Sequence, residues 1–342
     1  MPQTHSLLAR YKLRLRRKRL LWRAFLKRKE LSAVSRKTGS IKADDVLLFA
    51  TVRNEAERIP FFLEHYRRLG VSHFLIVDNA SDDDTVALLR DAPDVSAWSA
   101  QGSYKASRFG MDWLTCLHWR YGNGHWVVTV DADELLIYPN WESRDLNALT
   151  AWLDRQNMPQ MGALMLDLYP KGPVASQAHT PGQDPSEILR WFDGYGYWAQ
   201  LQPKMGNLWL QGGARARMFF QKAPQLAPTL NKIPLMRWDR SYVYVNSTHN
   251  ALPVLLNQSY DVAGVEKPTG VLLHTKLLPD AAARARVEKS RQELFADAAT
   301  YADYYDQLAD SPDFWTTDSI EYAGWQQLVQ LGLMFEGGWR SN

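Results

Sequence analysis

The sequence predicts an α/β fold, with one mostly parallel central sheet flanked by helices and further helices at the C-terminal end. Three observations predict it. From Asp45 to Val130, short apolar runs alternate with amphipathic segments at the spacing of strand–helix–strand units. Polar and acidic residues collect just after those runs, at the strand ends where ligands of such sheets bind. The composition is that of a globular chain, 46% apolar and 23% charged over 342 residues, enough for one large domain or two small ones.

Val46–Val52 reads as a buried strand, and Ile59–Leu69 as an amphipathic helix that Gly70 ends. Phe74–Val77 is a second strand, closed by the turn-forming run Asp78-Asn-Ala-Ser-Asp-Asp-Asp84. Thr85–Arg90 is a helix with Asp82 or Asp83 as its N-cap. Val95–Ser99 is a short strand. Arg108–Tyr121 is a long helix, stopped by Gly122-Asn-Gly124. Trp126–Val130 is the strand that delivers Asp131 and Asp133. After Tyr138 the pattern loosens. Ala163–Leu168 reads as a strand, and residues 170–186, rich in Pro, Gly, Gln and Ser, as a long loop suited to a lid. Residues 191–198 form an aromatic cluster with glycine hinges. Val271–His274 is a short apolar strand, and Pro279–Phe295 and Glu321–Met334 are helical in pattern.

The net charge of +3 conceals an asymmetry: residues 1–42 carry +13 and the remainder −10. Within the leader, Leu8, Tyr11, Leu15, Trp22 and Phe25 share a rough helical face among clustered Arg and Lys. Three readings stand open: a basic amphipathic helix on an anionic membrane surface, a contact with nucleic-acid phosphates, or a solvated tail. Charge interrupts the apolar residues, which argues against a secretory signal. Residues 31–43 (Ser, Thr, Gly, Lys) look like a linker. No run of 18 apolar residues predicts a transmembrane helix. The single cysteine, Cys116, excludes an internal disulfide framework and a cysteine zinc site, and fits a reducing compartment.

The segment Trp126-Val-Val-Thr-Val-Asp131-Ala-Asp133-Glu carries the most chemistry. In extended chain alternate side chains point the same way, so Asp131 and Asp133 can face one point beyond the strand end. Two carboxylates there suit a hard divalent cation, Mn²⁺ or Mg²⁺, that keeps positions open for phosphate oxygens.

Thr51-Val-Arg-Asn-Glu-Ala-Glu-Arg-Ile-Pro60, then Ile76-Val-Asp-Asn-Ala-Ser-Asp-Asp83, then Val130-Asp-Ala-Asp-Glu134 resemble a family 2-like nucleotide-sugar glycosyltransferase of the GT-A fold. Downstream blocks at Gly212–Arg217, Lys232-Ile-Pro, Ser247-Thr-His249, Leu272–Lys276 and Asp318–Tyr322 resemble its bacterial branch in the same order. The resemblance covers about residues 45–335. The basic amphipathic or disordered leader at 1–42 lies outside it; the resemblance implies a GT-A-like domain at 43–335: a nucleotide-binding half at 43–138, an acceptor and metal-completing half at 139–278, and C-terminal helices at 279–335.

The resemblance also implies roles. Arg53, Asn54 and Glu55 line the nucleotide pocket, Asp78 contacts base or ribose, and Lys105 and Arg108 approach the donor. Asp131 and Asp133 hold the metal, with His274 completing its shell and His249 as the second choice. Lys276, Arg215 or Arg217 add positive charge near the leaving diphosphate. An inverting transfer needs a carboxylate base; Asp193 is the first choice and Glu187 the second. The implied donor is a nucleoside-diphosphate sugar, UDP-sugar favoured. The implied acceptor is a glycan or lipid-linked molecule in surface polysaccharide synthesis, handled in the cytoplasm or on the inner face of its membrane. A Rossmann dehydrogenase is disfavoured because the turn after the first strand, Arg53–Arg58, lacks glycine. A non-enzymatic nucleic-acid or membrane binder is the alternative; the acidic body makes nucleic acid the poorer partner.

Overall fold

The computed structural model describes residues 6–260, 266–291 and 302–340. In chain order the first half contains α1 (Leu7–Lys27), β1 (Leu31–Ser35), β2 (Val46–Val52), α2 (Ile59–Arg68), β3 (Val71–Asp78), α3 (Thr85–Asp91), β4 (Val95–Ala100), α4 (Met111–Leu117), β5 (Trp126–Thr129), β6 (Glu134–Ile137) and α5 (Leu146–Arg155). The second half adds β7 (Gln160–Asp167), β8 (Trp191–Phe192), β9 (Tyr197–Gln202), β10 (Asn207–Gly212), α6 (Gly213–Phe219), β11 (Asn231–Arg237), β12 (Val243–Tyr244), β13 (Ala251–Leu252), β14 (Gly270–His274), α7 (Ala281–Arg291), α8 (Ala302–Ala309), β15 (Ile320–Glu321) and α9 (Trp325–Gln330).

Among the described residues nine strands form the central sheet, in the order β1-β4-β3-β2-β5-β11-β7-β14-β6. Strands β2, β3, β4, β5, β7 and β14 run one way, whereas β1, β11 and β6 run against them. The mostly parallel α/β fold expected from the sequence is therefore present. Alternation along β2 shows why both faces are covered. Val46, Leu48, Ala50 and Val52 pack with Ile59, Phe62 and Tyr66 of α2. Leu47 and Phe49 pack on the other face with Trp113, Leu114 and Leu117 of α4.

Four expectations change. Residues 31–43, read as a linker, begin with β1, which pairs antiparallel with β4 (Leu31↔Ala100). Its Ser-rich composition suits an edge strand, where one side of the backbone stays exposed. Helix α1 is not a separable tail. Arg23 Nε lies 2.6 Å from Asp112 on α4, Leu13, Leu20 and Leu21 pack beside Met205, Val243 and Leu252, and Ala24 is buried. The helix expected at 108–121 starts at Met111, because Arg108, Phe109 and Gly110 have φ of 55°, 57° and 75°, outside the right-handed helical region. It continues as a π turn over His118–Gly122. The helix expected at 321–334 is confined to Trp325–Gln330, since Glu321 pairs with Trp191 as strand and Gly324 has φ of 111°. Of the segment 279–295, residues 292–295 lie outside the described residues. The long loop at 170–186 contains two short helical turns and is tied down by Gly182 N–H to the Glu57 carbonyl (3.2 Å) and Val174 N–H to the Pro312 carbonyl (3.2 Å). Among the described residues no helix is long and apolar enough to cross a membrane.

Two histidines lie deep in this core. His65 Nε2 is 2.9 Å from the Leu136 carbonyl, and His118 stacks on Trp238 with its Nε2 3.0 Å from Thr129 Oγ1. Burial lowers their pKa values to about 4 and about 3. The unfolded chain binds protons below about pH 6.5 while the folded chain does not, so stability is full above that pH and falls as acid is added. Each histidine should contribute a slope of up to about 1.4 kcal/mol per pH unit between about pH 6.5 and its folded pKa. Urea midpoints should therefore drop from about pH 7.5 to about pH 5, and His118→Phe should shallow the drop. Equal midpoints at both pH values would contradict this.

Candidate functional site

The site grows from the carboxyl ends of β5, β7 and β14. Beyond Thr129 the chain leaves β5 and turns through Asp131–Asp133 into β6, whose Glu134 pairs with His274 at the end of β14. Strand β14 runs parallel to β7, which brings Asp167 opposite His274. His274 Nδ1 lies 2.6 Å from Asp167 Oδ1, and His274 Nε2 lies 3.3 Å from Asp133 Oδ2. Asp167 Oδ2 accepts from Arg215 Nε of α6 at 2.7 Å. Burial opposes charge on every member of this chain, but the partners outweigh it. His274, then Lys276 and Arg58, hold Asp133 well below the usual carboxylate range. Arg215 and His274 hold Asp167 down to about 2, and the two carboxylates raise the His274 pKa.

The two acids of the Asp-x-Asp segment face different partners. Asp131 Oδ2 is 3.3 Å from Lys232 Nζ, which also lies 2.9 Å from Glu134 Oε1. Glu134 Oε2 accepts the Asp131 backbone N–H at 3.2 Å. Lys232 and Glu134 are buried, whereas the Asp131 side chain is 40% exposed. The strict alternation that would aim both acids at one point stops with the strand at Thr129, and Ala132 and Asp133 form a turn. Among the described residues no three His, Cys, Asp or Glu side chains are gathered as a metal site.

Asp133 and His274 nevertheless fit a divalent cation as a pair. Their 3.3 Å separation is near the edge of an octahedral shell, about 3.0 Å for bonds of about 2.1 Å. Asp167 on the far ring nitrogen stands where an outer-shell carboxylate would orient a metal-bound imidazole. His249, the second choice for this role, is tied to backbone instead. Its Nδ1 is 2.6 Å from the Asn231 carbonyl, and burial, with Lys232 nearby, lowers its pKa to about 3.

A polar cavity of about 240 Å³ opens at the ends of β2, β3 and β4, lined by Arg53, Asn79, Gln101, Ser103, Tyr104 and Arg291 among others. Arg53 Nη1 donates to the Asn79 carbonyl at 2.8 Å. Asn54, at φ 53°, exchanges hydrogen bonds with Asp82 (2.6 and 3.0 Å), which locks the loop after β2 to the loop after β3. Asp78 is buried and accepts from the Ser81 hydroxyl and from its N–H at 3.2 Å, so it shapes that second loop. Glu55 is paired with Arg58 (3.1 Å) and Arg284 (2.8 Å), and both arginines also reach Asp280. Lys105 lies in the turn beside Tyr104. Arg108 is committed to packing: Nε is 2.7 Å from Asp112 and Nη1 2.8 Å from the Tyr244 carbonyl.

On the other side, Asp193 accepts from Arg217 Nε and Nη2 (2.8 and 3.0 Å) and from the Tyr169 hydroxyl (2.5 Å). A carboxylate so filled ties the end of β8 to α6 and has little left with which to accept a substrate proton. Glu187 is exposed and accepts from Gln183 Nε2 at 3.2 Å. Lys276 is half-buried, with Nζ 5.8 Å from the centre of the Tyr304 ring, and its charge reaches Asp133.

The structure brings together Asp133, His274, Lys276 and Arg215 from the sequence-derived set, with Asp131 on Lys232 beside them, and adds Asp167, Glu134, Lys232, Arg58 and Arg284. Asp167 had a signal, since it is the one acid inside the predicted strand at 163–168. The Lys232–Glu134 and Arg284–Glu55 pairs join residues far apart in sequence and left none.

Neither a family model nor a curated protein matches the chain. Among solved structures it is similar to a 4-diphosphocytidyl-2C-methyl-D-erythritol synthase at 12% identity and TM-score 0.24, covering 40% of this chain and 68% of that one. A mannosyltransferase from Pyrobaculum calidifontis, in complex with GDP-Man and Mn²⁺, is similar at 20% identity and TM-score 0.25; the match covers 48% of this chain and about half, 47%, of that one. A UTP-bound UGPase from Acinetobacter baumannii is similar at 12% identity and TM-score 0.27, covering 81% and 85%. Likenesses this weak carry no inference about activity. What fold and site define is an α/β protein whose cationic and carboxylate groups meet at the carboxyl edge of its sheet.

Proposed function

We propose that the chain is a metal-dependent glycosyltransferase that takes a sugar from a nucleoside diphosphate, UDP-sugar favoured, and passes it to a glycan or lipid-linked acceptor in surface polysaccharide synthesis. One observation supports this reading above the others: Asp133 and His274 stand 3.3 Å apart at the strand ends, with Asp167 behind the ring. Asp133 and His274 would hold Mn²⁺ or Mg²⁺, with Asp131 the exposed acid of the same turn. When bound, the cation supplies Lewis-acid stabilisation of a diphosphate gaining charge.

The chain's own residues supply the rest. Arg58 and Lys276, whose charges already act on Asp133, add positive field for a leaving diphosphate. Arg53 and the loops at 79–80 and 101–104 offer a polar pocket for the nucleoside part. Asp167 keeps His274 oriented, and Arg215 keeps Asp167 ionised. The test is release of nucleoside diphosphate from a panel of nucleotide sugars, with and without Mn²⁺. Turnover of at least one donor, lost on chelation, is expected; an inert panel would contradict the reading. Arg53→Ala should weaken nucleoside-diphosphate binding by about 1–3 kcal/mol, because a charged hydrogen-bond partner leaves the pocket. Calorimetry giving unchanged affinity would move the pocket elsewhere.

A further inference from the structure

A second cavity, of about 830 Å³, lies between α1, β1 and α4, away from the residues described above. This is the size of a small-molecule site, about 300–1,000 Å³. Its wall is apolar, built from Leu21, Trp22, Phe25, Trp98, Leu117 and Trp119, with Cys116 among them. Its lining also includes Lys18, Arg28, Lys29, Arg36 and Arg120, and no acidic residue. Helix α1 carries a second unusual surface. Leu8, Tyr11, Leu15, Trp22, Phe25 and Leu26 are all exposed, Leu8 by 62% and Trp22 by 61%. At about 100° per residue they fall within an arc of about 100°, opposite the face that Leu13, Leu20 and Ala24 turn to the protein. Nine Lys and Arg and no acid share this helix.

We propose that this groove takes an acyl chain of an anionic membrane lipid, with the lipid phosphate on the basic lining and the exposed stripe of α1 lying in the bilayer interface. Charge selects the occupant. A second copy of the chain would bring the same cations against these, whereas an anionic bilayer neutralises them. Because α1 is clamped to α4 through Arg23 and Asp112, docking fixes the folded body on the surface rather than tethering it by a loose leader. The inference is independent of the proposed transfer chemistry.

Cys116, the sole cysteine, reports on the groove directly. The full-length protein is mixed with vesicles of phosphatidylcholine alone or with added phosphatidylglycerol, and both sedimentation and the rate of Cys116 alkylation by a maleimide are followed. Sedimentation with the phosphatidylglycerol vesicles only, weakened by salt, is expected. Alkylation should slow at least about five-fold there, as chain occupancy excludes the reagent. Trp22→Glu with Phe25→Glu should cut vesicle binding by about ten-fold or more, since apolar burial and surface attraction both fall. Failure to sediment at low salt, sedimentation with an unchanged Cys116 rate, or undiminished binding of the double variant would each overturn the proposal.

Discussion

Asp133→Asn is expected to lower sugar transfer by two to three orders of magnitude, a loss of about 3–4 kcal/mol of transition-state stabilisation. The asparagine keeps the size of the side chain and a hydrogen-bond acceptor for His274, so the fold should survive. What it removes is the negative charge that His274, Lys276 and Arg58 hold firmly ionised. The urea midpoint should fall, because the ionised Asp133 also stabilises the fold, but the variant should stay folded under assay conditions, and Mn²⁺ should no longer stimulate whatever activity is left. Near-normal, metal-stimulated transfer by the variant would remove Asp133 from the chemistry.

Lys232→Met should have the largest effect on stability. Lys232 is buried between Glu134 and Asp131, and both ion pairs raise its pKa despite burial. Removing the ammonium leaves Glu134, 1% exposed, without its partner, a change that typically costs about 3–5 kcal/mol. Burial already raises the Glu134 pKa, and loss of Lys232 would raise it further. The penalty should therefore be greatest at high pH and shrink as Glu134 takes a proton. Urea unfolding at two pH values checks both the size and the sign. Adding Glu134→Gln should restore part of the loss; a double variant no more stable than Lys232→Met alone would show that the pair is not coupled.

Much of the fold was legible because both-face burial leaves long apolar runs. Val46–Val52 is buried throughout, and its bounds came from composition alone. Residues 31–43 failed because an edge strand keeps one side open and tolerates serine, which reads as a linker. Residues 108–110 failed because three consecutive positive φ values leave no mark on apolar spacing. The same division holds at the site. Asp133 and His274 could be found because each closes or follows a hydrophobic run. Asp167, at the end of β7, was visible but paired with nothing in the sequence, and its meaning comes only from the parallel pairing of β7 with β14. Asn54, Glu55 and Asp78 stand at strand ends, and here Asn54 joins two loops, Glu55 pairs with Arg284 of α7 and Asp78 shapes its own loop. Asp193 stands out in sequence by its place in an aromatic cluster, and nothing in that neighbourhood marks its engagement by Arg217, 24 residues on.

On the proposed function, Asp133 and His274 couple a divalent cation to a nucleoside diphosphate. Calorimetric titration of UDP and GDP into the native protein and into Asp133→Asn, each with and without Mn²⁺, tests it most directly. The native protein should bind one of the two at least about ten-fold more tightly with Mn²⁺, a coupling of about 1.4 kcal/mol, and Asp133→Asn should lose that gain while keeping its metal-free affinity. Nucleoside-diphosphate affinity that ignores Mn²⁺ in the native protein, or a Mn²⁺ gain that survives in Asp133→Asn, would contradict the account.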